Sequence, residues 1–225
     1  MSVPAAAAPA ARGDVVGIVL AGGASRRMGV AKAGLLHDGR TFLARVVGAL
    51  HDGGIADVVV VSGSAHEAVL AALPVSQHVP VLRNPEPERG QLSSLKVALA
   101  ALLARDVRPA AAVVALVDHP AIRAQTVAAL IAAWAKGTVG DVPPDGPAIV
   151  VPVHDGRRGH PVLFAADVWN ELLATPDALG ARAVVHARPA RVVELEVDDP
   201  GIRIDVDTPA DLASLTAGSG RFVRG

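Results

Sequence analysis

The sequence predicts an α/β fold: one mostly parallel sheet with helices on both faces. Three observations carry that expectation. Short β-branched runs alternate with longer Ala/Leu stretches along the chain. The runs are apolar throughout, as strands sandwiched between two helical layers must be. At 225 residues and 51% hydrophobic, the chain can bury one substantial core, and its length is ordinary for a single domain.

Taken in order, strands are expected at 15–20, 57–62, 79–82, 111–117, 148–153 and 192–197, with a further apolar strand after the HDGRRGHPVLF loop. Helices are expected at 41–50, 65–73, 92–104 and 121–134, several opening after Ser, Thr or Gly, and another after Pro209, which suits a first helical turn. The domain is expected to occupy residues 15–217, between a disordered tail over 1–14 and a short tail over 218–225. MSVPAAAAPAARGD lacks both a positive start and a strongly apolar stretch, which argues against a secretion signal. No apolar run approaches the roughly 20 residues of a membrane helix. A soluble, cytoplasmic protein is the expectation, and no membrane partner.

Composition removes several chemistries. With no cysteine, there are no disulfides, thiolate nucleophiles, iron–sulfur clusters or Cys-based zinc sites. A net charge of -1 gives no global basic field for nucleic acid, and 2% aromatics leaves little on which bases could stack. Any polyanion must be met locally.

The first strand empties into AGGASRRMGVAK, residues 21–32, where such a meeting is plausible on chemical grounds. The run fits neither the P-loop nor the dinucleotide fingerprint, because Val30 follows Gly29 and Gly22-Gly23-Ala24 breaks G-x-G-x-x-G. Its parts still suit a phosphate. Gly22 and Gly23 let backbone amides come close, Ser25 offers a hydroxyl, and Arg26, Arg27 and Lys32 bring charge. In a parallel sheet, this loop lies where ligands bind, beyond the carboxyl ends of the strands.

Four further stretches carry polar chemistry. Asp118 ends the apolar run AAAVVALVDHP, where a carboxylate can hold a hard cation such as Mg²⁺ or simply cap the next helix. In RIDVDTPADL, Asp205 and Asp207 stand two apart, as strand residues facing one metal would, while Asp207 or Thr208 could equally be an N-cap. Gly90, Gln91, Ser93 and Ser94 open a helix, with Lys96 behind, and could meet a base edge or a phosphate. Arg157, Arg158 and His160 surround Gly159 in either a binding loop or a hairpin turn.

These pieces occur in one order, and that order resembles a known family. LAGGASRRMGVAK is similar to the L-A-[AG]-G-x-S-x-R-M-G-x-x-K motif of the molybdenum cofactor nucleotidyltransferases, the MobA and MocA type. GQLSSLKVAL, LVDHP, RRGHPVLF and DVDTPADL resemble that family's later motifs, closest to its cytidylyltransferase branch, over residues 15 to about 215. The resemblance implies a Rossmann-like (GT-A-like) nucleotidyltransferase fold. It also implies Mg²⁺-dependent transfer of CMP or GMP from the triphosphate to the phosphate of a molybdopterin-type acceptor. By that resemblance, Leu20, Ala21, Gly22, Gly23, Ser25, Arg26, Arg27, Lys32, Gln91, Ser93 and Ser94 bind the nucleotide. Arg27, Lys32 and Asp118 serve catalysis, Asp118 and Asp207 hold the metal, and Arg158, Gly159 and His160 meet the acceptor. A molybdenum oxidoreductase or its chaperone is an implied partner.

The chain departs from the family's pattern in three places, one of them Gly34, which interrupts what is normally a K-x-L-L run. Leu92 replaces a serine, and Leu20-Ala21-Gly22-Gly23 reads as in the guanylyl branch. Gly23 is taken here as the position that gains room for a purine. Two other readings remain open at this level: transfer to another small acceptor such as a sugar phosphate, and a non-catalytic module that delivers a finished cofactor.

Overall fold

The computed structural model describes residues 14–23, 28, 30–74, 79–137 and 146–219. In chain order its elements are β1 (Val15–Ala21), the small hairpin β2 (Leu36–His37) and β3 (Arg40–Thr41), α1 (Phe42–Asp52), β4 (Asp57–Ser62), α2 (His66–Ala72), β5 (Val81–Arg83), α3 (Gln91–Leu103), β6 (Ala111–Leu116), α4 (Ala124–Lys136), β7 (Ile149–His154), β8 (Arg157–Arg158), β9 (Val162–Ala165), α5 (Trp169–Ala174), α6 (Arg182–Ala187), β10 (Val192–Glu196) and α7 (Pro209–Ser219). Asp14 already belongs to the body of the fold, since its carbonyl accepts the Ala110 N–H at 2.9 Å, and α7 runs past residue 217 to Ser219. Residues 1–13 and 220–225 lie outside the described residues.

The main sheet runs β10-β7-β9-β6-β1-β4-β5, with β8 beside β7. β10–β7, β6–β1, β1–β4 and β4–β5 pair parallel, while β9 lies antiparallel between β6 and β7. Alternation along each strand feeds two cores. Val16, Ile18 and Leu20 pack with α3, α5 and α6, whereas Val19 and Ala21 face α1, α2, α4 and α7. Among the described residues, no helix is long and apolar enough to cross a membrane.

From β1 the chain builds outward through β4 to β5, then returns to add β6 on the opposite side of β1. Strand order therefore reverses at β1, and the crevice beyond the carboxyl ends of β1 and β6 is the binding place such sheets provide.

One long-range contact shapes this region. α4 opens at Ala124 rather than near Ala121, and its N-terminus has no side-chain cap of its own. Asp199, 1% exposed, supplies it from across the chain by accepting from the Arg123 N–H (2.9 Å), the Thr126 hydroxyl (2.7 Å) and the Gly201 N–H (2.9 Å). Asp199→Ala leaves two buried donors and one part-buried donor unpaired and should cost about 3 kcal/mol in urea unfolding, since each unmet buried group costs about 1–3 kcal/mol. A loss within about 0.5 kcal/mol, the scale of a neutral surface change, would show that water replaces this carboxylate freely.

Candidate active site

The crevice is a cavity of about 430 Å³. The ends of four parallel strands contribute to it: Leu20 to Gly23 after β1, Ala65 and Val69 after β4, Pro87, Gly90, Gln91 and Ser94 after β5, and Leu116 to Asp118 after β6. Lys32 and Asp207 close the wall. The polar groups are few and convergent, as in a small-molecule site.

At the β6 end, three charges meet. The Lys32 ammonium donates to Asp118 Oδ2 at 3.0 Å and to Asp207 Oδ1, joining residues that lie 86 and 175 positions away. Burial lowers the affinity of Lys32 for its proton, but the hydrogen bonds and charges of Asp207 and Asp118 outweigh it, so its pKa is raised and it is cationic.

Local structure explains why both carboxylates are available. Asp118 is not the cap of the following helix, since Asp199 has that task. Nor does Asp207 cap α7. Asp211 Oδ2 accepts from the Asp207 N–H (3.1 Å), the Thr208 N–H (2.7 Å) and the Thr208 hydroxyl (2.8 Å), while Thr208 Oγ1 accepts from the Asp211 N–H (3.3 Å). This is a reciprocal capping box. Residues 204–207 form no strand, and Val206 donates its N–H to the Asp118 carbonyl at 2.9 Å. Asp205 is exposed and lines a separate hollow with Arg45 and Arg203, so the structure parts the two aspartates that the sequence spacing had aligned.

The donor set fits a hard divalent cation. Asp118 and Asp207 already converge on one cationic point, and both offer only oxygen. Among the described residues, no group of three or more His, Asp or Glu side chains could form an all-protein cage. Mg²⁺ characteristically uses one or two carboxylates and completes its shell with substrate phosphates and water.

The remaining sequence candidates divide. Ser25, Arg26 and Arg27 lie outside the described residues. Leu20, Ala21, Gly22, Gly23, Gln91 and Ser94 line the cavity, whereas Ser93 points behind the wall and donates to the Gly90 carbonyl at 2.7 Å. Lys96 is turned away, donating to the Thr175 carbonyl (2.6 Å) and pairing with Asp177 (2.7 Å). Asn84 had no assigned role, yet it is 3% exposed and organises this wall through hydrogen bonds to both serines. Its only sequence cue is its place between a short strand and Pro85.

Arg158, Gly159 and His160 do not reach the cavity wall. Arg158 pairs with Glu194 on β10, its Nε 2.8 Å from the carboxylate. A Cβ on Gly159 would collide with the Ile202 carbonyl, and His160 donates its backbone N–H to that same carbonyl at 2.9 Å. The His160 ring has its Nδ1 buried and its centroid 5.3 Å from that of His119. Burial, aided by His119, pushes its pKa down to about 4, so it is a neutral packing group against His119. This loop holds the segment leading to Asp207.

The glycine pair divides against the described wall. A Cβ on Gly22 would lie 2.8 Å from Ser94 Oγ, whereas one on Gly23 meets nothing within 4 Å among the described residues. Gly22, not Gly23, is the position at which an alanine would press on the wall.

Comparison with known proteins agrees with this geometry. The profile of the MobA-like NTP transferase domain matches residues 17–192. The chain is 29% identical over 206 residues to nicotine blue oxidoreductase of Paenarthrobacter nicotinovorans, covering 89% of this chain and 96% of that one. The crystal structure of Rv0371c from Mycobacterium tuberculosis H37Rv superposes with a TM-score of 0.75 at 29% identity, covering 91% of this chain and 98% of that one. Rv0371c in complex with manganese gives a TM-score of 0.72 at 26% identity over the same shares.

Proposed function

The chain belongs to the MobA-like NTP transferase family, and from that premise we propose that residues 14–219 form a single Mg²⁺-dependent nucleotidyltransferase domain that moves CMP, with GMP as a poorer alternative, from the triphosphate to the phosphate of a molybdopterin-type acceptor. The observation that carries this reading is the convergence of Asp118, Asp207 and Lys32 at the β6 end of the cavity. The manganese complex of Rv0371c supports a divalent cation in a relative of this fold.

In this reading an acceptor phosphate oxygen attacks the α-phosphorus in line. A new P–O bond forms, the bond to the bridging oxygen breaks, and pyrophosphate leaves; no covalent enzyme intermediate is needed. Asp118 and Asp207 would hold the cation, which neutralises phosphate charge when bound. Lys32, cationic and preset at the same point, balances charge on the phosphates as it builds. Gly22, Gly23, Gln91 and Ser94 face the nucleotide, and Arg26 and Arg27 are assigned to its phosphates on the strength of their motif.

The test is pyrophosphate release from each nucleoside triphosphate with Mg²⁺ and a panel of phosphorylated acceptors. Release dependent on CTP and a molybdopterin supports the reading, and release with a sugar phosphate alone moves the acceptor. One relative is called an oxidoreductase, so consumption of a hydride donor is followed in the same samples. Redox turnover without pyrophosphate would sink the proposal.

Base choice gives a sharper expectation. Gly22→Ala should shift kcat/KM toward CTP by roughly 10-fold relative to GTP, because one methyl in a pocket is worth about 1–3 kcal/mol. Gly23→Ala should leave the ratio alone, its methyl meeting no described residue within 4 Å. The reverse pattern would return the role to Gly23.

A further inference from the structure

Resting on the nucleotidyltransferase reading, we propose that Asn84 is a specificity-determining positioning residue: it locks the Ser94 hydroxyl as a hydrogen-bond donor toward a carbonyl oxygen of the nucleotide base. The argument is a count of protons. Asn84 Oδ1 accepts the Glu86 backbone N–H at 3.0 Å, so the orientation of the amide is set by a group that can only donate. Both amide hydrogens then go to hydroxyl oxygens, to Ser93 Oγ at 2.8 Å and Ser94 Oγ at 3.0 Å. Ser93 passes its own hydrogen to the Gly90 carbonyl. Ser94 is 3% exposed, lines the cavity and finds no acceptor for its hydrogen among the described residues. A buried hydroxyl in that state needs an acceptor from the ligand.

Strand order says which end of the nucleotide it meets. Asp118 follows β6 and Asn84 follows β5, three strand steps apart, or about 14 Å at the usual spacing, and the Ser94 hydroxyl lies between them, against Gly22 at the end of β1. With the reacting phosphates at Asp118, Lys32 and Asp207, the base extends toward Gln91 and Ser94. Cytosine and guanine carry a carbonyl oxygen and adenine does not, so a fixed donor here favours the first two.

The experiment is calorimetric binding of CTP, GTP and ATP with Mg²⁺ to the full chain and to Asn84→Asp, Ser94→Ala and the double variant. Asp at 84 has the same shape but only acceptor atoms, so both serine hydroxyls must turn to donate to it and the cavity loses its donor. Each single variant should weaken CTP and GTP by roughly 10-fold, about 1.4 kcal/mol, the upper end for one net hydrogen bond. The double variant should be no weaker than either single one, and ATP should change much less. Losses that multiply, an Asn84→Asp variant that binds as the parent does, or an equal loss for ATP would each overturn the assignment. If Asn84→Asp does not fold, Ser94→Ala against the three nucleotides still decides it. A parent chain that binds no nucleotide would overturn the nucleotidyltransferase reading and this inference together, whereas a binding parent with an unaffected Ser94→Ala overturns the inference alone.

Discussion

Asp118→Asn is expected to lose nucleotidyl transfer while keeping its fold. The amide is nearly the same size, but it carries no charge and binds a hard cation far more weakly than a carboxylate. The rate should fall at least about 10²-fold, the scale on which removal of one preorganised group facing transition-state charge acts. Stability should change little, because Lys32 keeps its hydrogen bond to Asp207. Pyrophosphate release titrated with MgCl₂, alongside a thermal melt, checks both halves. An unchanged rate with unchanged Mg²⁺ dependence would remove Asp118 from the metal site.

Lys32→Ala is expected to act on two quantities at once. Turnover should fall by about 10²–10³-fold, again the range for a preorganised charge at the reacting centre. The second effect comes from tertiary structure alone. Asp118 and Asp207 converge on Lys32, so its removal leaves two carboxylates facing each other. Their side chains keep 27% and 33% exposure, so water tempers the repulsion. The cost should be about 1–2 kcal/mol, below the roughly 3–5 of a fully buried pair that loses one partner. In EDTA the variant should melt below the parent, and Mg²⁺ should raise its melting temperature more than it raises the parent's. Equal metal shifts in both would show that the carboxylates are uncoupled. A collapsed melting temperature with intact nucleotide affinity would make Lys32 a structural residue.

Much of the fold was legible because it rests on local periodicity. β4 occupies the expected 57–62, and the other five numbered strands are displaced by at most two residues at either end. The apolar strand after the Arg-rich loop is present as β9. Its antiparallel place between β6 and β7 was not legible, since a buried strand reads the same in either direction. Helix starts were readable where the cap is local, as at Thr41, whose Oγ1 accepts the Ala44 N–H at 3.1 Å. They failed at α4, whose cap comes from Asp199 far along the chain.

The site divides along the same line. By itself the sequence determined which chemistry is available: a glycine pair after the first strand, carboxylates at 118 and 207, a lysine at 32, an amide and hydroxyls at a helix start. These are properties of residue types and short spacings. Only the tertiary structure decided which of these groups meet. Lys32 finds Asp118 and Asp207 because strand order places β1 beside β6 and returns the C-terminal segment to the same edge. Asp205 is turned aside, Arg158 is spent on Glu194, and His160 packs against His119 rather than lining the cavity. Gly22 matters through Ser94, and Ser94 through Asn84, contacts that no spacing encodes. The physical reason is that periodicity records the face a residue shows to its own helix or strand, whereas a side chain's partner is chosen by packing between elements remote in sequence.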